Sequence, residues 1–430
     1  MKKFLSLFVA IIIMFYTFLN SSNISYANDN SLSLPAEAAV LMDYETGEVL
    51  YSKNGNKKVY PASTTKAWTA YLVLKHKPNL NESIKIIKDL NVEGSSMYLK
   101  SGEIFTVREL LESLLIHSSN DVAVVLAEYI SGSVHEFINL MNNEAKSIGA
   151  KNTHFNNPNG LPDENHYTTA YDMTLIAREC MSNDTFREIV KMKSVSFPAT
   201  QAYPFERYFI NTNKFLSSTE KINYKGKNID IKYDIVDGIK TGYTDDAGRC
   251  LLSSAVKNDM RMISAVFKST GNDIYLASRT LLDYGFNNFY NKTIIDKNKY
   301  RHSKRVLFTK QKELTYEPEF TYKVLLKNGS STNNYSTKTN LDKIKLPIKK
   351  GSKVGSLEVY NGKKLETTIN LVATNDLNSV FGALVENKII STILKIIILI
   401  LIVLFIGLLY IRMINKKRRR KKIFNKRKRI

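Results

Sequence analysis

Two apolar runs at opposite ends of this 430-residue chain limit what the residues between them can become. Met1-Lys2-Lys3 leads into an apolar run over residues 4–19, and polar residues follow to Ser25-Tyr26-Ala27. A basic start, an apolar core and a small-x-small site read as a secretory signal peptide over 1–27, an uncleaved anchor being the alternative. The second run, 389–411, is interrupted only by Ser391, Thr392 and Lys395. Twenty-odd helical residues at ~1.5 Å each span a ~30 Å hydrocarbon core, so this run reads as a transmembrane helix. Residues 412–430 hold twelve Lys/Arg and no acid. That tail belongs on the cytoplasmic side. The expectation is a single-pass cell-membrane protein whose residues 28–388 fold outside the cell.

The formal net charge of +22 is concentrated at the ends. Removing the twelve tail residues, Lys2 and Lys3 leaves 48 basic against 40 acidic residues, a balance of +8. Such a middle suits an anionic surface without requiring one. Topology and surface lipid account for the basic tail, so no nucleic-acid partner is expected. At 43% hydrophobic and 24% charged, the chain fits neither disorder nor a polytopic membrane protein. Cys180 and Cys250 fall in a helix-like and a strand-like run and read as two buried thiols, a single disulfide being the alternative. No Cys-x-x-Cys or His-Glu-x-x-His occurs, so neither metal nor cofactor is expected.

The order of elements narrows the fold. Ala38-Ala39-Val40-Leu41-Met42 and Glu48-Val49-Leu50-Tyr51 flank a turn and read as a hairpin. Apolar helices follow Pro61, and Thr106 and Ser133 each open a capping box. The second of these helical stretches breaks at Ser118-Ser119-Asn120. Strands return at 235–242, 250–256 and 260–267, and an amphipathic helix follows over 273–284. Strands at both ends with helices between predict one sheet assembled around a helical insert. From 291 to 374, β-like runs at 305–308, 320–326, 353–359 and 365–371 alternate with turns and predict a small all-β domain.

The chemistry begins at Pro61-Ala62-Ser63-Thr64-Thr65-Lys66. Positions i and i+3 share a helix face, which brings the Lys66 amine within reach of the Ser63 hydroxyl. A serine needs a base to become a nucleophile, and a lysine is a base only when its pKa is lowered. Alone, the pattern equally describes an N-cap serine and a solvated lysine. Ser218-Thr219-Glu220-Lys221 repeats it with no helix behind. Two further short motifs follow in order, Ser118-x-Asn120 and Lys240-Thr241-Gly242. Together they supply the parts of acyl transfer. Ser63 attacks and Lys66 takes its proton. Lys240 disfavours charge on Lys66. Ser118 relays a proton to the leaving nitrogen. Asn120 orients Lys66 and holds a substrate amide. Lys240 and Thr241 bind a carboxylate, and Gly242 clears room for substrate backbone at the strand edge.

On these motifs the chain resembles the serine D-alanyl-D-alanine carboxypeptidases, the low-molecular-mass penicillin-binding proteins. The resemblance is strong over 33–290 and loose beyond. Gly94-Ser95-Ser96-Met97 is similar to the family's cleft-lining loop, with Ser95 and Ser96 as substrate-binding residues. His166-Tyr167-Thr168-Thr169-Ala170-Tyr171-Asp172-Met173 and Val236-Asp237-Gly238-Ile239-Lys240-Thr241-Gly242-Tyr243-Thr244 match two further family segments. The resemblance implies an α/β (α+β) penicillin-binding/β-lactamase-like transpeptidase fold: an antiparallel sheet flanked by helices, with a helical subdomain. It places the oxyanion hole at the N–H groups of Ser63 and Tyr243, with Gly160 and Leu161 lining the cleft. Asn211-Thr212-Asn213 departs from it, because some members carry Arg where Thr212 stands. The implied layout is 1–27 signal peptide, 28–290 catalytic domain, 291–374 β-rich domain, 375–388 linker, 389–411 transmembrane helix and 412–430 tail. The implied reaction removes the terminal D-alanine of a peptidoglycan stem pentapeptide through an acyl-enzyme on Ser63. β-Lactams would act as inhibitors. A β-lactamase is the rival enzyme, although no Glu-x-x-Leu-Asn surrounds Glu164. A penicillin-binding receptor without turnover is the rival non-enzyme, and a transpeptidase is a variant of the favoured reading.

Overall fold

The computed structural model describes residues 32–330, 334–380 and 388–427, so the expected signal peptide lies outside the described residues. The chain divides into two compact units, one of residues up to Lys292 with Val324–Ser330, the other of the remainder.

The first unit is built on a five-stranded antiparallel sheet. Its order is Val236–Thr244, Gly248–Lys257, Met260–Ser269, Ala38–Asp43 and Val49–Lys53. The N-terminal hairpin thus joins the late strands through Ala38–Asp43 and Met260–Ser269, as strands at both ends of the segment require. Ala38–Asp43 is buried throughout, and its side chains alternate between two cores. Ala38 and Val40 join the larger cluster, which continues into the helices. Ala39 and Leu41 join a second cluster with helix Asp273–Asn288. Period-two alternation explains how a continuous apolar strand serves both layers. The helix runs past the expected residue 284 to Asn288.

Helix Thr65–His76 lies inside the larger cluster, with every residue from Thr65 to Leu74 buried. A helix apolar on all sides has no solvent face to turn outward. Trp68 is fully buried, stacks on Tyr71 at 5.3 Å and donates from Nε1 to the Met141 carbonyl at 3.0 Å. Thr106 and Glu109 form the expected reciprocal capping box. At Ser133 only the side-chain half is made, Ser133 accepting from the Glu136 N–H. The helix after Thr106 ends in a wide turn, Ser113–His117, and Ser118 then takes a left-handed conformation at φ +73°. Cys180 and Cys250 are free and buried.

In the second unit a five-stranded antiparallel sheet runs His302–Arg305, Glu313–Pro318, Lys364–Ala373, Lys353–Asn361 and Tyr335–Leu341. The strand expected at 305–308 lies earlier, because Phe308 adopts φ +60° in a turn. Glu313–Pro318 was not anticipated either. Tyr335–Leu341 is mostly solvent-exposed at the sheet edge and carries too few apolar residues to announce itself. A separate helix, Lys388–Arg427, covers the second apolar run.

Trp68→Ala removes the largest side chain of the central helix and is expected to lower the unfolding free energy by ~3–5 kcal/mol. The measurement is the urea midpoint followed by far-UV circular dichroism, and an unshifted midpoint would contradict the packing described.

Candidate active site

Ser63 sits on a single 3-10 turn, Ala62–Thr64, that opens helix Thr65–His76. Two glycines from distant segments close on this turn. A Cβ at Gly160, which has φ +86°, would lie 1.9 Å from the Ala62 carbonyl oxygen. A Cβ at Gly242 would lie 3.0 Å from the backbone nitrogens of both Ser63 and Thr64. Gly242 therefore lets the edge strand Val236–Thr244 dock against the nucleophile turn. The space expected for substrate backbone is thus filled by the nucleophile turn.

Lys66 Nζ lies 2.7 Å from Ser63 Oγ and donates to the Asn159 carbonyl at 2.7 Å. The residue is fully buried. Burial pushes its amine well below the ordinary lysine range, the nearby Lys240 charge pushes it further, and Asp121 opposes both. An amine that donates to Asn159 has its lone pair available for the Ser63 hydroxyl proton. Lys240 is also buried, its Nζ donating to the Thr241 carbonyl at 3.1 Å, and burial lowers its pKa to about 7.

Above these lysines lies a cleft of about 890 Å³. Of the residues singled out in the sequence, Ser63, Ser95, Ser118, Asn120, Gly160, Leu161, Thr241, Gly242 and Tyr243 line it. Lys66 and Lys240 lie beneath it rather than in its wall. Ser96 is buried elsewhere, its Oγ accepting from the Tyr98 N–H at 3.1 Å, so it serves the loop rather than the cleft. Asn120 differs from expectation as well. Its Nδ2 donates to the Glu93 carbonyl at 2.5 Å, and its buried Oδ1 has no partner among the described residues. Lys66 is oriented by Asn159 instead. A backbone carbonyl carries no residue-type signal, which is why sequence could not assign it that role.

Other site-forming residues also lacked a motif. The Asp121 carboxylate accepts from the Met97 and Leu99 N–H groups, both at 3.0 Å, and so fixes the loop bearing Ser95. Arg207 holds the same loop through the Met97 carbonyl at 2.9 Å and forms a buried pair with Glu103 at 2.9 Å. Thr212 Oγ1 meets Thr241 Oγ1 at 2.6 Å. His166 Nδ1 accepts from the Asn156 N–H at 3.0 Å, which leaves Nε2 protonated and 2.9 Å from Thr65 Oγ1. Burial lowers this imidazole to about 4, so it is neutral and structural. Among the described residues no His/Cys/Asp/Glu group can hold a metal ion.

A family model described as D-alanyl-D-alanine carboxypeptidase matches residues 25–271, and one for the C-terminal domain of penicillin-binding protein 5 matches 289–379. The D-alanyl-D-alanine carboxypeptidase DacF of Bacillus subtilis is 34% identical over 356 residues, 81% of this chain and 87% of its own length. DacC of Escherichia coli is 33% identical over 80% of this chain and 84% of its own length. The crystal structure of penicillin-binding protein 5 from Haemophilus influenzae superposes with a TM-score of 0.60 at 28% identity, over 81% of this chain and 99% of that one.

Lys240→Gln removes the cation beside Lys66, so Lys66 is expected to hold its proton to higher pH. The acidic limb of the pH profile for Ser63 acylation, followed by intact mass, should move to higher pH. A limb that stays in place or moves lower would contradict the coupling of the two lysines.

Proposed function

The chain belongs to the D-alanyl-D-alanine carboxypeptidase family, and from that premise we propose that Ser63 is its nucleophile and Lys66 the general base. The observation that carries this is the fully buried Lys66 amine 2.7 Å from Ser63 Oγ. Lys66 takes the hydroxyl proton as Oγ attacks the carbonyl carbon between two D-alanines. The N–H groups of Ser63 and Tyr243 receive the developing oxyanion. Ser118 passes a proton to the leaving nitrogen, the C–N bond breaks, and D-alanine departs. Water then hydrolyses the ester on Ser63. Thr241 binds the substrate carboxylate, and Ser95, Gly160 and Leu161 shape the cleft. A β-lactam forms the same ester by ring opening. The substrate is the stem pentapeptide of peptidoglycan. Glu164 lines a smaller cavity of about 220 Å³ that does not include Ser63, so its position lends no support to the β-lactamase alternative.

The proposed layout is a catalytic domain over 28–290, a β-rich domain over 291–374 and a linker over 375–388. A transmembrane helix over 389–411 and a basic cytoplasmic tail would follow. Support for the anchor is the stretch Lys395–Arg418, which is long and apolar enough to cross a membrane, with the Lys/Arg-rich end beyond it. After export directed by residues 1–27, the catalytic domain would face the wall.

Ser63→Ala is expected to abolish both D-alanine release from a pentapeptide stem and covalent labelling by a fluorescent penicillin. Release that survives the substitution would refute the assignment. A chain ending at residue 388 should move from the membrane to the soluble fraction on fractionation and keep its penicillin labelling. Continued membrane association would refute the anchor.

A further inference from the structure

A carboxypeptidase substrate ends in a free carboxylate, and the following inference rests on the carboxypeptidase reading. We propose that Arg249 receives that terminal carboxylate, together with the paired hydroxyls of Thr212 and Thr241, and so sets the preference for a free C-terminus. Lys240 sits beneath the cleft with its Nζ on the Thr241 carbonyl. Thr212 carries no charge, so a cation in contact with the carboxylate would come from the cleft wall.

The cleft wall holds two cations, Lys214 and Arg249. Lys214 is engaged with Glu220 at 2.6 Å and with Asn272 Oδ1 at 3.1 Å. Arg249 has no acidic partner among the described residues. It lies directly across the strand pair from Tyr243, with its guanidinium carbon 4.7 Å from the Tyr243 ring centroid. A ring face holds a guanidinium in place and leaves its charge and its N–H donors available. Thr241 is two residues from Tyr243 on the same strand and is bonded to Thr212, so hydroxyl donors and cation share one end of the cleft. The same wall also carries Glu93, Glu220, Asp245 and Asp246, of which Glu220 is held by Lys214 and Asp245 accepts from the Tyr243 hydroxyl at 2.9 Å, so the attraction for an anion is local to Arg249 and not a property of the whole cleft. A guanidinium–carboxylate contact there is charge-assisted.

The test uses the full chain in detergent as wild type, Arg249→Gln and Arg249→Lys. The substrate is one peptide ending in D-Ala-D-Ala, as the free acid and as the C-terminal amide. Arg249→Gln is expected to lower kcat/KM for the acid by ~10–100-fold, mainly through KM, the size of a lost charged hydrogen bond. The amide should change by less than about threefold, and Arg249→Lys should recover part of the loss. Equal losses on both peptides, or none on either, would overturn the proposal. A second arm compares Ser63 acylation by benzylpenicillin and by its methyl ester. If the wild type is acylated but releases no D-alanine, the carboxypeptidase reading fails and this arm alone decides. Loss of the acid-over-ester preference in Arg249→Gln would then support a carboxylate site, and an unchanged preference would overturn it.

Discussion

The site depends on keeping water away from one amine. Lys66 lies on a helix whose residues are buried from Thr65 to Leu74, and desolvating an ammonium there costs on the order of several kcal/mol. The protein meets that cost by lowering the proton affinity of the amine, and a neutral amine beside a serine is a base. Lys240 strengthens the effect through its charge, while Asp121 limits it. Nucleophile activation thus follows from the packing of the larger core, in which Ala67, Trp68 and Leu72 are as necessary as the reacting groups.

Backbone contacts complete the arrangement. The Asn159 carbonyl fixes Lys66, Gly160 fits beneath the Ala62 carbonyl, and Gly242 brings the edge strand against the nitrogens of Ser63 and Thr64. These parts come from the helix, from the loop near residue 160 and from the edge strand. The sheet and the helical insert together hold them in place. The loop bearing Ser95 is held in the same way from two sides, by Asp121 and by Arg207 with its buried Glu103 partner. Buried charged groups bonded to the backbone of a loop favour one conformation of it, and the cleft wall inherits that conformation.

Much of this was legible without coordinates. The hairpin at 38–53, the strands at 248–269 and the capped helix at Thr106 follow from alternation, turn residues and a reciprocal Thr/Glu pair. The polar edge strand Tyr335–Leu341 did not, because a strand with one face in water and few apolar residues resembles a loop. Phe308 misled because an apolar residue in a left-handed turn preserves an alternation that the backbone does not. The partners of Ser96 and Asn120 were not legible, because their hydrogen bonds run to the backbone of Tyr98 and Glu93, and backbone partners leave no residue-type signal.

The sequence by itself determined what is local or compositional: the i, i+3 pairing of Ser63 with Lys66, the hairpin turns and the apolar run with its basic end. Each depends on neighbours along the chain, where spacing and residue type carry the physics. Only the tertiary structure decided the proton affinities of Lys66 and Lys240, the seating of Gly242 and Gly160 on the nucleophile turn, and the lack of an acidic partner for Arg249 among the described residues. Those depend on desolvation and on atoms brought close from distant segments. Neither is encoded at any one position.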